Sequence, residues 1–301
     1  MIDEAIIEKY HLAGKIAGES RDYGLGLIRS GVKLLDVAEK VEAKINEKGA
    51  KPSFPVNISL NEVAAHYSPR FDDKLVFKKG DVVKLDVGTH IDGYIADTAA
   101  TIEVGTKKYN DMIKASDEGL KTAIEIIGPD VELSKLGKAV QETIKNHGFK
   151  PIDNLTGHSL KRYVLHSGMS VPSVPDVLNK SKPQIGDVLA IEPFATDGAG
   201  HVIAGGGSNI FLCNKSLRSR IVRDNRAKIW HNRLMKNFRT LPFAQRWASN
   251  IFEKNTDMVL NRLCFLGMLR HYPQLIEQKK GIVTQKEHTV IITEEGCEVT
   301  T

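Results

Sequence analysis

Two stretches of this chain repeat each other. In the first, Gly31-Val-Lys-Leu-Leu35 opens a helical pattern that reaches Gly49-Ala-Lys-Pro52 and then Gly80-Asp-Val-Val-Lys-Leu-Asp86. In the second, a similar helical pattern from Val131 reaches Gly148-Phe-Lys-Pro151 and then Gly186-Asp-Val-Leu-Ala-Ile-Glu192. The offset is 99 residues at the helix, where Leu34, Val41 and Ile45 match Leu133, Val140 and Ile144, and 106 at the strand, where Asp86 matches Glu192. A duplication of this length predicts one domain of two halves, with equivalent positions meeting near a pseudo-twofold axis. Two acids at matched strand positions therefore predict a shared site of the kind a pair of metal ions requires.

The rest of the chain reads as an α+β order. Apolar residues Ile6, Tyr10, Ala13, Ile16 and Ala17 recur near a period of 3.6, predicting a helix over residues 2–29. A second helix is expected from Leu34 to Lys48, ended by Gly49 and Pro52. Strand material begins near Pro55, and Val82 to Val104 reads as a hairpin turning at Asp92-Gly93. Helices from Tyr109 to Ile127 and Leu133 to His147 precede a second strand set from Ile152 to Leu212. Beyond Gly205-Gly-Gly207 the composition shifts. Ser219 to Leu269 has helical spacing, Pro273 marks its end, and Thr289-Val-Ile-Ile-Thr293 returns to strand.

Charge isolates that inserted segment. The formal net charge is +5, but residues 212–273 hold 13 Lys and Arg against 3 Asp and Glu, leaving an acidic remainder. Expected boundaries are thus a body of residues 1–211 with 274–301 and a basic helical insertion, 212–273. No stretch has the length of a membrane span, the start lacks a signal-peptide pattern, and the cytoplasm is the expected location. Three widely separated cysteines, Cys213, Cys264 and Cys297, argue against a disulfide framework or a thiolate metal cluster.

The hairpin supplies a second acid. With Asp92 and Gly93 as turn residues, Asp97 faces Gly88 and lies diagonal to Asp86 on the same face. Acids within apolar strands are costly unless paired or bound to metal. Further candidates are His158 in Thr156-Gly-His-Ser159, Glu192 in Ala190-Ile-Glu-Pro193, and Glu287 in Gln285-Lys-Glu-His288. Alone, His158 would more often be a surface or core histidine, and Glu287 a solvated acid. Together one histidine and four carboxylates suit two divalent cations of the Mn, Fe, Co or Zn kind. Extended, the repeat pairs His66 with His166 on either side of the metals and predicts Glu287 as the counterpart of Asp97.

The order of Asp86, Asp97, Gly157-His158, Glu192-Pro-Phe194 and Gln285-x-Glu287-His-Thr289 resembles the methionine aminopeptidases, whose fold is the duplicated pita-bread domain. The resemblance covers nearly the whole chain from Gly31. The span between Glu192 and Glu287, and Phe238-Arg-Thr-Leu-Pro-Phe-Ala-Gln-Arg-Trp247, are similar to the type II branch with its inserted winged-helix-like subdomain. The short N-terminal portion is similar to archaeal members. The resemblance implies Asp86, Asp97, His158, Glu192 and Glu287 as ligands of two metal ions. It implies His66 and His166 as contacts to the scissile amide, and Phe54 and Tyr272 as lining of the methionine pocket. Without it, the two histidines would be semi-buried structural residues and the two aromatics core. Lys286 departs from the family, which usually has an aromatic there.

The implied reaction is removal of the initiator methionine from nascent proteins, by metal hydroxide with Glu192 as general base. The expected form is a monomer without membrane partners, and the basic insertion is a candidate contact to the ribosome. Two alternatives remain at this point: a prolidase-like dipeptidase, and a non-catalytic RNA-binding homologue of the same fold.

Overall fold

A computed structural model describes residues 3–214 and 222–301. The start of the expected first helix at residue 2 and the start of the expected insertion helix at Ser219 lie outside the described residues. Helix α1 (Glu4–Leu27) begins at Asp3, whose carboxylate accepts the Ala5 N–H at 3.0 Å. Its buried face of Tyr10, Ala13, Ile16 and Ala17 is the one the apolar spacing predicts. Helix α2 spans Leu34–Glu47. It is followed by β1 (Lys51–Pro52), β2 (Asn57–Leu60), β3 (Val63–Ala65) and the hairpin β4 (Val82–Ile91) with β5 (Tyr94–Glu103). The second half runs α3 (Asn110–Ile126), α4 (Leu133–Asn146), β6 (Lys150–Pro151), β7 (Thr156–Ser159), β8 (Ser170–Pro172), β9 (Val188–Ile191) and β10 (Phe194–Thr196).

The duplication is visible in the ladders. Lys51 pairs with His90 and Pro52 with Thr89 in the first half, and Lys150 pairs with Thr196 and Pro151 with Ala195 in the second. Both pairs are displaced by the same 99 and 106 residues read from the sequence. The first half packs Leu34, Val41, Ile45, Ile58 and Leu85 into one core, and the second packs Leu133, Val140, Ile144, Leu189 and Ile191 into another. The hairpin turns at Asp92 and Gly93, both with positive φ of 52° and 91°, which suits the right-handed twist of the strands.

The remaining elements are β11 (Val202–Cys213), α5 (Asn225–Phe238), β12 (Phe243–Ala244), α6 (Gln245–Phe252), α7 (Thr256–Phe265), β13 (Leu269–Glu277), β14 (Val283–Gln285), β15 (His288–Thr293) and β16 (Gly296–Val299). Pro273 lies inside β13, opposite Gly207 at a register shift, and does not end the helical segment. A strand tolerates proline where the ladder is already interrupted. Around α5 to α7 a separate cluster forms from Leu234, Phe243, Ala248, Val259 and Leu263. It is clamped to the body by Arg246, which donates to Glu42 and, at 2.8 Å each, to the Ser68 hydroxyl and Pro69 carbonyl. Trp247 Nε1 also donates to Glu42, at 2.9 Å.

Candidate metal centre

The hairpin places its two acids as alternation requires. Gly88 is paired with Asp97 and Asp86 with Ala99, so both carboxylates project from one face of the β4–β5 ribbon. Glu192 follows β9 directly, where Pro193 interrupts the ladder, and Glu287 lies between β14 and β15. His158 stands on β7, paired with Ala190. These five side chains, from residues up to 201 positions apart, meet at one cavity of about 50 Å³. His158 Nε2 is 3.8 Å from Asp97 Oδ2 and 3.7 Å from Glu192 Oε1. One ligand atom from each of Asp97, His158 and Glu287 lies within 4.8 Å of the others.

The electrostatics are those of an uncompensated anionic cluster. Burial pushes Asp86 up to about 7. Burial raises Asp97, Glu192 and Glu287 well above the usual carboxylate range, and neighbouring carboxylates add to it, with Asp86 among them in each case. Arg21 opposes the shift at Glu287 but does not cancel it. Among the described residues, Asp86 Oδ1 and Asp97 Oδ1 are buried without a hydrogen-bond partner. Buried anionic oxygens without donors are expensive unless a cation meets them. The donor set, hard oxygens with one imidazole, fits divalent ions of the first transition row.

The repeat pairs these residues differently from the sequence expectation. Gly88 opposite Asp97 in the first half is repeated as Phe194 opposite Gln285 in the second. The counterpart of Asp97 is therefore Gln285, not Glu287. The same register sets Glu287 opposite Glu192, where the first half has Ala99 opposite Asp86. Gln285 donates to Glu192 Oε2 at 3.3 Å. The pairing of Ser59 with Lys84 recurs as His158 with Ala190. Ser59 thus holds the place of His158 in the first half, and a hydroxymethyl group is too short to take its role.

His66 and His166 line the same cavity. Both also line an adjoining pocket, so they share the border between the two spaces. His66 has φ 64°, a left-handed conformation that an ordinary residue adopts at a cost of about 1–3 kcal/mol. Its ring meets Tyr272 edge-on at 5.4 Å, and the His166 ring lies 4.3 Å from that of His158. Burial pulls His66 and His166 down to about 4 and His158 well below the usual histidine value, so all three are neutral near pH 7. Phe54 and Tyr272 line the cavity and are largely buried. Lys286 points away, with Nζ 3.6 Å from Asp117 Oδ1 on α3, so the family departure does not reach the centre.

Sequence reasoning missed Asn57, Leu165, Ile210 and Pro242 in the cavity wall. Asn57 faces Asp86 in the ladder and its buried Oδ1 has no partner; it is the first-half equivalent of Thr156, a match the repeat could have flagged. Ile210 and Pro242 carry no local signal.

A duplicated fold whose halves converge on four carboxylates and a histidine around one cavity is that of a metal-dependent hydrolase. The profile of metallopeptidase family M24 matches residues 8–294. A methionine aminopeptidase of Methanocaldococcus jannaschii is 47% identical over 294 residues, covering 98% of each chain. The chain belongs to metallopeptidase family M24 and, within it, to the methionine aminopeptidases. Among solved structures, a thermophilic Arx1 matches the fold with a TM-score of 0.88 at 17% identity, covering all of this chain and 91% of its own. The methionine aminopeptidase of Thermotoga maritima matches with a TM-score of 0.72 at 22% identity, covering all of this chain and 98% of its own.

Proposed function

We propose that this protein removes the N-terminal methionine of nascent polypeptides, with Asp86, Asp97, His158, Glu192 and Glu287 holding two divalent metal ions. The observation that carries this reading is the convergence of those five side chains on a cavity that His66 and His166 also line. Bound ions of the Mn, Fe, Co or Zn kind would supply Lewis acidity, polarising the substrate carbonyl and acidifying a water. Glu192 accepts the proton of the attacking water, because its other oxygen is already held by Gln285. His66 and His166, neutral, donate N–H hydrogen bonds to the developing oxyanion and to the scissile amide, and the proton that Glu192 takes from the water passes on to the leaving nitrogen. Phe54, with Leu165 and Ile210, gives the methionine side chain an apolar wall.

The insertion, residues 212–273, is read as a docked subdomain with its own core, beside a body of residues 1–211 and 274–301. Arg223, Arg226, Arg233 and Lys236 are exposed on or beside α5 and offer phosphate contacts to ribosomal RNA, whereas Arg246 is buried against Glu42. A substrate that is a nascent chain supports a cytoplasmic reading; separately, among the described residues no helix is long and apolar enough to cross a membrane. The deciding experiment is methionine release from a Met-Ala-Ser peptide by metal-stripped protein, reconstituted ion by ion. Restoration by at least one divalent ion is expected; failure with every ion refutes the reading. Ribosome pelleting across a salt series tests the contact, and association indifferent to salt, or none, ends it.

A further inference from the structure

Beside the metal cavity lies an annex of about 280 Å³ lined by His66, His166, Arg270, Tyr272, Pro273 and Leu275. The two spaces share His66, His166 and Tyr272, whereas Phe54, Leu165, Ile210 and Pro242 line the metal cavity alone. The apolar end, suited to a methionine side chain, is therefore away from the annex, and the scissile end is toward it. A polypeptide cut at the histidines continues into the annex with its third and following residues, each advancing about 3.4 Å when extended.

Apart from the two histidines, Arg270 is the one titratable cation in that lining. It projects from β13, where Leu212 faces it across the ladder, and its guanidinium sits 5.0 Å from the centre of the Tyr272 ring. The side chain is exposed and, among the described residues, no carboxylate lies within ion-pair distance of it. After burial itself, its charge is among the influences that hold both His66 and His166 neutral, so it stands in the field of both rings. A guanidinium held over an aromatic face, with its five donors unclaimed by protein acids, is prepared for a carboxylate arriving from solvent.

We infer that Arg270 is a specificity-determining residue that favours substrates with acidic residues at the third and fourth positions, an inference that rests on the aminopeptidase reading above. A nascent chain beginning Met-Ala-Glu-Glu brings a carboxylate into the annex, where Arg270 attracts it. One beginning Met-Ala-Lys-Lys brings a like charge, which Arg270 repels. A partly exposed charge pair of this sort is worth a few-fold in rate, and the attractive and repulsive cases together span about tenfold.

The test compares kcat/KM for Met-Ala-Glu-Glu-Ser, Met-Ala-Gln-Gln-Ser and Met-Ala-Lys-Lys-Ser at low and high salt, with metal-loaded protein. The parent is expected to prefer the Glu peptide over the Lys peptide by about tenfold at low salt, narrowing as salt screens the pair. Arg270→Lys keeps the preference, Arg270→Ala flattens it, and Arg270→Glu reverses it. An unchanged Glu-to-Lys ratio in Arg270→Ala, or no preference in the parent, overturns the inference. The Gln peptide separates the two readings: if it is cleaved while the ratio ignores Arg270, only the specificity inference fails. If the parent cleaves none of the three with any ion, the aminopeptidase reading fails and takes the inference with it.

Discussion

Thr289 holds Asp97 by both backbone groups: its hydroxyl accepts the Asp97 N–H at 2.7 Å and donates to the Asp97 carbonyl at 2.8 Å. The symmetry mate of this contact is Thr101, whose hydroxyl accepts the Gln285 N–H at 2.8 Å and donates to its carbonyl at 2.7 Å. Between them the Glu287 N–H donates to the Ala99 carbonyl at 3.0 Å, so the pseudo-twofold axis passes between β5 and the β14–β15 strip. The two threonines stitch the halves together on either side of it. Thr289→Val and Thr101→Val each leave buried backbone groups unpaired, and each is expected to lower stability by about 1–3 kcal/mol in urea denaturation. Thr289→Val is expected to weaken divalent-ion binding more than Thr101→Val in calorimetric titration, because it alone bonds a proposed ligand residue directly, whereas Thr101 reaches Glu192 only through Gln285. Equal loss of metal affinity in both variants would contradict the assignment.

Neutralising one acid of the cluster separates folding from metal binding. In metal-free protein Asp97→Asn removes a buried charge that burial and its neighbours Asp86 and Glu192 disfavour, so the melting temperature should rise. With divalent ions added, the parent gains stability through binding and the variant gains little. Peptide cleavage should fall by more than about a hundredfold, since loss of even an outer support of a metal ligand costs 10–100-fold. A metal-free variant that melts below the parent would show that Asp97 is stabilised by something other than an ion.

The cluster also sets a pH dependence. His66 and His166, pulled down to about 4 by burial, bind fewer protons folded than unfolded, so their contribution grows from pH 4 and is complete above the ordinary histidine value of 6.5. The carboxylates act in the opposite sense. Asp86, raised to about 7 by burial, keeps its proton longer in the folded state, and stability falls as pH rises through that value. Between pH 4 and 6.5 the two effects oppose each other. Above 6.5 the histidine effect is complete and the carboxylate effect continues, until buried Lys84, lowered to about 7, begins to oppose it. Metal-free protein is therefore expected to melt at progressively lower temperature from pH 6.5 to about 7 and to level off above that. Saturating divalent ion should remove that decline. A metal-free melting temperature that is flat or rising over the window speaks against an unpaired cluster.

The clamp between the insertion and the body is a buried charge pair. Arg246 and Glu42 are 4% and 9% exposed, and Arg246 also serves Ser68 and Pro69. Arg246→Ala leaves Glu42 buried with Trp247 and the Val56 N–H as its remaining partners, and should cost about 3–5 kcal/mol in denaturant unfolding. The double variant Arg246→Leu, Glu42→Leu should recover part of that loss. Recovery of nothing would mean that the backbone groups of Pro69 and Val56, and not the charges, carry the clamp.

The legibility of the site followed the range of the interactions. The Asp92-Gly93 turn fixes the β4–β5 register locally, so the shared face of Asp86 and Asp97 was readable from alternation alone. The family resemblance named all five clustered acids and histidine, and each lines one cavity. The repeat, carried across the insertion without a ladder to check it, slipped by two residues and chose Glu287 over Gln285 as the counterpart of Asp97. Gln285 ends β14 and Glu287 lies two residues on, before β15, so a two-residue slip preserves the alternation and leaves no trace in periodicity. His66 and His166 were legible as a pair, but the border they share between the two spaces was not, because it depends on β13 closing over them.

By itself the sequence determined the duplication, the hairpin register, the acidic body with its basic insertion, and the type of donor gathered at the centre. These follow from turn chemistry, side-chain alternation and composition, which act over a few residues or over the whole chain. Only the tertiary structure decided that Ser59 replaces His158 in the first half, that Ile210 and Pro242 wall the cavity, and that Arg270 faces the space beyond the histidines. Those relations are set where sheets close on one another, by ladder register and packing between segments far apart in the chain. No local pattern encodes which side chains meet there.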